Sequence, residues 1–281
     1  MDWSKQIDGY CERMSPEFWA EPVNAITNAA FIIAGIVCLI YARVMHKRDG
    51  AVTYLSLLIC VIGIGSFLFH TFATRWAALT DVVPIMLFIL SFFTIAMNRF
   101  LDLSWGNSAI LTLGFLGALV TGALMTRGDG MEILIPGAEF SSQTTIFWAA
   151  LAICFGSIVI AGGGLPAATV IAIGFPASAL VIGLAIGMVA GPAVAGWKPY
   201  FPALLALAGV GIYLAITGHP AWAWLIGAAA VFAISLTFRT LDIPLCGSFE
   251  MGTHFLWHIL NGVVLGTLVL GVIEEGREVA E

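Results

Sequence analysis

Charge is what this chain has least of. Only 28 of its 281 residues are Asp, Glu, Lys or Arg, or 10%, where a soluble domain carries about 25%. A soluble globule needs a charged exterior around its core, so that class is excluded. Basic residues are scarcer still, 11 Lys and Arg against 17 Asp and Glu, for a net charge of −6. They stand singly apart from one short cluster, and nothing points to a nucleic-acid partner. Five cysteines are too few for a disulfide-dense scaffold. The first 21 residues, MDWSKQIDGYCERMSPEFWAE, hold no apolar stretch and so do not read as a secretory signal.

What is present is apolar. Such residues make up 60% of the chain against a norm of roughly 45–50%, and the mean hydropathy is +1.01. The pattern predicts an all-α, polytopic transmembrane helix bundle. Runs long enough to cross a bilayer, ~20 residues each, fall at about 23–43, 52–72, 77–98, 107–126, 144–162, 166–190, 201–217, 221–238 and 252–273. Gly, Pro and charge punctuate between them. About nine spans are expected, and seven with an irregular middle segment stays open. The runs are continuous rather than alternating, which argues against a β-barrel. Three parts follow: an acidic extramembrane segment at 1–21, one transmembrane domain at 22–273, and a charged tail at 274–281. Arg43, Lys47 and Arg48 follow the first span, and the positive-inside rule puts them in the cytoplasm. The N-terminal segment then lies outside, an arrangement consistent with a bacterial inner membrane.

Ionisable side chains inside spans are costly and usually functional. His46 and His219 fall in connections and read as solvated residues. The other histidines do not. His70 closes the second span, and His254 and His258 open the last. Asp81 opens the third. His254 and His258 are four apart, so on a helix they lie on one face, a common way to grip a divalent metal. Ser66 and His70 repeat that spacing. If the last span is odd-numbered, His70, Asp81, His254 and His258 share one side of the bilayer; seven and nine spans both satisfy this. Three histidines with one open position suit a catalytic zinc, whose bound water has its pKa lowered to ~7. Ser66 is placed to hydrogen-bond that water or an oxyanion. Asp81 is placed to act as general base or to orient the water. The competing reading makes the histidines packing contacts between helices. Position 255 is Phe, so the Glu of a His-Glu-x-x-His protease is missing.

These residues resemble the alkaline ceramidase family, part of a wider group of intramembrane metal hydrolases that includes the adiponectin-receptor-like proteins. The matching segments are Gly65-Ser66-Phe67-Leu68-Phe69-His70, Asp81-Val82-Val83-Pro84 and Gly252-Thr253-His254-Phe255-Leu256-Trp257-His258. Cys11-Glu12 and Glu21-Pro22-Val23-Asn24-Ala25-Ile26-Thr27-Asn28 add to them. The resemblance implies zinc on His70, His254 and His258, assistance from Ser66 and Asp81, and attack of a zinc-bound water on the amide of ceramide-like N-acyl lipids. It also implies a calcium ion in the acidic segment, with Glu12 and Glu21 as ligands and Asp8 one residue out of register; a solvated acidic tail is the other reading. Members have seven spans, so residues 128–190 are expected to be two inserted ones.

Cys38, Cys60 and Cys154 fall within spans and read as packing residues. Cys11 and Cys246 lie outside them on the same side, where a disulfide is allowed if that side is extracytoplasmic. Two other functions compete with hydrolysis. A metal transporter needs polar residues through both halves of the membrane, whereas here they gather at one side. A receptor-like protein with structural zinc needs a closed four-ligand site.

Overall fold

The computed structural model describes residues 2–47, 49–126 and 200–276. Among these the chain forms α1 (Pro22–Thr27), α2 (Ala29–Val44), α3 (Gly50–Phe72), α4 (Arg75–Phe100), α5 (Trp105–Thr126), α6 (Phe201–Thr217), α7 (Trp222–Leu245) and α8 (His254–Glu275). Five helical runs are long and apolar enough to cross a membrane: Pro22–Val44, Gly50–Phe72, Arg75–Phe100, Trp222–Leu245 and His254–Glu275. The protein is a helical membrane bundle. It does not establish nine spans, because the runs expected at 144–162 and 166–190 lie outside the described residues, as does Cys154.

The chain divides into two compact units. The first comprises Met1–Phe92 and Gly227–Gly276, and every predicted site residue belongs to it. Its packed centre is α2, α3 and α8, filled by Leu55, Ile59, Ile62, Val264, Leu268 and Val269. The first span shows why these helices belong in lipid. Ile33, Ile36, Val37, Ile40 and Val44 face outward at helical spacing, while Phe31, Gly35, Cys38 and Ala42 face inward. The exposed stripe is the greasier one, the reverse of a soluble helix. In the second unit α5 and α6 pack together, and His219 lies 5.8 Å from Phe100, ring to ring.

Local chemistry fixes the ends of α3. Asp49 caps its start by accepting from Val52 N at 2.8 Å. Its exit passes through Ala73 in a left-handed conformation, φ +46°. The N-terminal segment runs antiparallel along that exit. Ile7 N donates to Ala73 O at 2.7 Å, Arg75 N to Lys5 O and Trp76 N to Trp3 O, each at 3.2 Å. The acidic segment is therefore pinned across the α3–α4 connection. Cys11 and Cys246 form a disulfide with their Cα atoms 5.5 Å apart, which ties the same segment to the α7–α8 connection.

Candidate metal centre

Two helices distant in sequence deliver the histidines. His70 sits two residues before the end of α3, and His254 and His258 occupy the first two turns of α8. The start of α8 is set from outside. Asp242 Oδ1 accepts from Thr253 N at 2.7 Å and His254 N at 2.9 Å, satisfying two of the amides that a helix leaves unpaired at its N-terminus. Its other oxygen accepts from Cys11 N at 2.9 Å. Gly252, at φ +65°, makes this possible: a Cβ there would stand 2.2 Å from Asp242 Oδ1. One carboxylate thus positions both α8 and the N-terminal segment.

The three imidazoles meet. Ring centroids are 5.2 Å apart for His70–His254, and 4.6 Å for both His70–His258 and His254–His258. One ligand nitrogen from each lies within 4.8 Å of the others. All three are at most 2% exposed. Among the described residues this is the one cluster of three or more His, Cys, Asp or Glu side chains able to share a metal.

The second nitrogens test whether a metal fits. His70 Nδ1 donates to Glu21 Oε2 at 2.6 Å, and its Nε2 is buried with no partner. His258 Nδ1 lies 3.1 Å from Thr27 Oγ1, whose own proton goes to Val23 O at 2.8 Å, so the imidazole is the donor. His254 Nδ1 is likewise buried and unpartnered. Orphaned buried nitrogens cost free energy unless something coordinates them. Rings oriented through their far nitrogens by a carboxylate and a hydroxyl are the usual support of metal-ligating histidines. The donor set fits a divalent metal such as zinc.

Ser66 and Asp81 stand beside the triad. Ser66, one turn before His70 on α3, is 3% exposed and hydrogen-bonds Asp81 of α4. Asp81 Oδ1 is buried and unpartnered. Gly65 allows the approach: a Cβ there would fall 1.9 Å from Thr80 O. The backbones of α3 and α4 touch where Ser66 must reach Asp81.

The acidic residues are arranged differently from one another. Asp8 is exposed. Glu12 accepts from Val23 N at 2.7 Å and Asn24 N at 2.8 Å, closing the start of α1. Burial pushes its carboxyl above the ordinary range despite those bonds. Glu21, 2% exposed, bonds His70 and Arg13 and accepts from Asn24 Nδ2 at 3.1 Å. Burial alone would raise its carboxyl, but His70 and Arg13 outweigh that and hold it low.

Sequence reasoning missed several neighbours. Tyr10 stacks on His254, centroids 3.8 Å apart, and Arg239 lies 5.4 Å above the Trp257 ring. Arg13 had one signal, being with Lys5 one of two basic residues in an acidic segment. Thr27 meets His258 across 231 residues, and Asp242 meets Cys11 across the same separation, so neither contact had a signal in the sequence.

The Ceramidase family model matches residues 6–274. This chain belongs to the Ceramidase family. The matched stretch runs from the pinned N-terminal segment almost to the end of α8, and so contains the whole cluster. Membership in the Ceramidase family implies a hydrolase acting on ceramide, a membrane lipid. Comparisons with curated proteins and with solved structures find no match.

Proposed function

We propose that the protein is a zinc-dependent hydrolase that cleaves the amide bond of ceramide-like N-acyl lipids, releasing a sphingoid base and a fatty acid. The observation that carries this reading is the convergence of three buried imidazoles next to a partnerless carboxylate oxygen and a serine. His70, His254 and His258 would hold the zinc. Bound there, it would supply a Lewis acid and a water acidic enough to ionise near neutral pH.

The chain's own groups do the rest. Asp81 accepts the proton of the attacking water, a role that needs an unengaged oxygen facing the site. As Asp81 takes up that proton it releases the Ser66 hydroxyl, which then donates to the oxygen on which charge develops as the carbonyl carbon becomes tetrahedral. Asp81 then returns the proton to the departing amine, so no net proton is consumed. Glu21 and Thr27 hold two of the rings in the tautomer that turns the other nitrogen inward. A site at the ends of spans suits a two-tailed lipid that arrives from the bilayer.

The sequence supports the remaining features. We read residues 128–190 as two spans added to a seven-helix core; a pair leaves the orientation of α8 unchanged. The basic cluster after the first span, and a disulfide that needs an oxidising compartment, favour the extracytoplasmic face of a bacterial inner membrane for the centre.

The experiment is mass spectrometry of lipid products from purified protein and defined N-acyl lipids. The wild type is expected to release fatty acid, and Asp81→Asn to lose about 10²–10⁴-fold in turnover. A zinc-loaded wild type inactive on every N-acyl lipid would refute the reading.

A further inference from the structure

The acidic segment does not fit the calcium ion that the resemblance implies. Asp8 is exposed, both oxygens of Glu12 close the start of α1, and both oxygens of Glu21 are engaged. A cation is already there. Arg13 is 5% exposed. Its Nε donates to Glu21 Oε1, Nη1 to Ser15 O at 3.1 Å and Glu17 O at 3.3 Å, and Nη2 to His70 O at 3.0 Å. A carboxylate and backbone carbonyls from separate segments are the ligand types a hard divalent cation collects. Here a guanidinium collects them.

We infer that Arg13 is a built-in substitute for a bound cation, making the centre independent of calcium, and that it is a positioning residue for His70. The inference rests on the zinc reading above. Arg13 holds His70 from two sides, through the histidine's own carbonyl and through the Glu21 carboxylate that orients its ring. Its fixed fork matches that geometry as a lysine point charge cannot. A calcium ion drawn to Glu21 would meet the buried guanidinium and be repelled.

The test uses the full chain in lipid nanodiscs. Millimolar calcium is titrated into the wild type while radioactive calcium binding and thermal unfolding are followed. No saturable binding and no shift in melting temperature are expected. Cobalt then replaces zinc as a visible reporter of the geometry at His70. Arg13→Ala and Arg13→Lys are each expected to weaken cobalt affinity roughly 10–100-fold and to alter the spectrum. Added guanidinium ion is expected to restore both in Arg13→Ala and neither in Arg13→Lys.

Calcium binding that raises the wild-type melting temperature and vanishes in Glu21→Gln would overturn the inference. So would wild-type cobalt affinity and spectrum in both Arg13 variants. Failure of the underlying reading looks different: a wild type that binds neither zinc nor cobalt removes the hydrolase, and the calcium titration still decides what Arg13 replaces.

Discussion

Glu21 Oε2 accepts a 2.6 Å hydrogen bond from His70 Nδ1, with both side chains at most 2% exposed. The bond fixes which nitrogen of His70 turns toward His254 and His258. It joins the N-terminal segment to α3 at the point where the chemistry is proposed. Glu21→Gln keeps the size but weakens the acceptor. Zinc affinity is expected to fall about 10–100-fold, measured by competition with a chromophoric chelator, with helical content unchanged by circular dichroism. Unchanged affinity would remove Glu21 from the metal's support.

Gly65→Ala tests the contact between α3 and α4. The added Cβ would fall 1.9 Å from Thr80 O, so the helices must separate. A misplacement of about 1 Å can cost ~10²-fold in rate. Turnover is expected to drop at least that far while zinc stays bound, because no histidine lies on α4. Metal loss equal to the loss of activity would show that the approach serves the triad and not the Ser66–Asp81 pair.

Glu12 gives a signed pH effect. Burial raises its folded-state pKa above the ordinary value, so the folded chain holds this proton more tightly than the unfolded one. The stability this contributes is fully present below about pH 4.5, the ordinary glutamate range. It is lost as pH rises through the raised folded value. Melting temperatures of the wild type and Glu12→Gln are to be compared from neutral pH down to that range. The wild type is expected to gain on the variant as pH falls, and a relative loss would contradict the assignment.

The Cys11–Cys246 disulfide closes a separation of 235 residues. Cys11→Ser with Cys246→Ser is expected to cost on the order of 2–4 kcal/mol and to expose the N-terminal segment to proteases. Limited proteolysis timed against thermal unfolding measures both. Equal cleavage rates would mean that the backbone hydrogen bonds of residues 3–7 to residues 73–76 suffice to hold the segment.

The helical membrane bundle and the histidine cluster were legible because each rests on a local pattern. His254 and His258 lie one turn apart, and Ser66 and His70 repeat the spacing. The support of the centre was not legible. Glu21 carries an oxygen that suits calcium as well as it suits an imidazole, and only the position of Arg13 and His70 around it separates the two. Asp242 closes the start of α8 through amides 11 and 12 residues on. Tyr10 reaches His254 only because the N-terminal segment folds back over the α3–α4 turn. Such contacts depend on how segments return to one another, which periodicity does not encode.

X-ray absorption at the zinc edge tests the central claim most directly. The account predicts one zinc per wild-type chain with three imidazole nitrogens at about 2.0–2.1 Å and one further light-atom ligand. In His70→Ala, one imidazole should be missing from any zinc that remains. Protein purified without stoichiometric zinc after zinc loading, or a shell that keeps three imidazoles in His70→Ala, would contradict it.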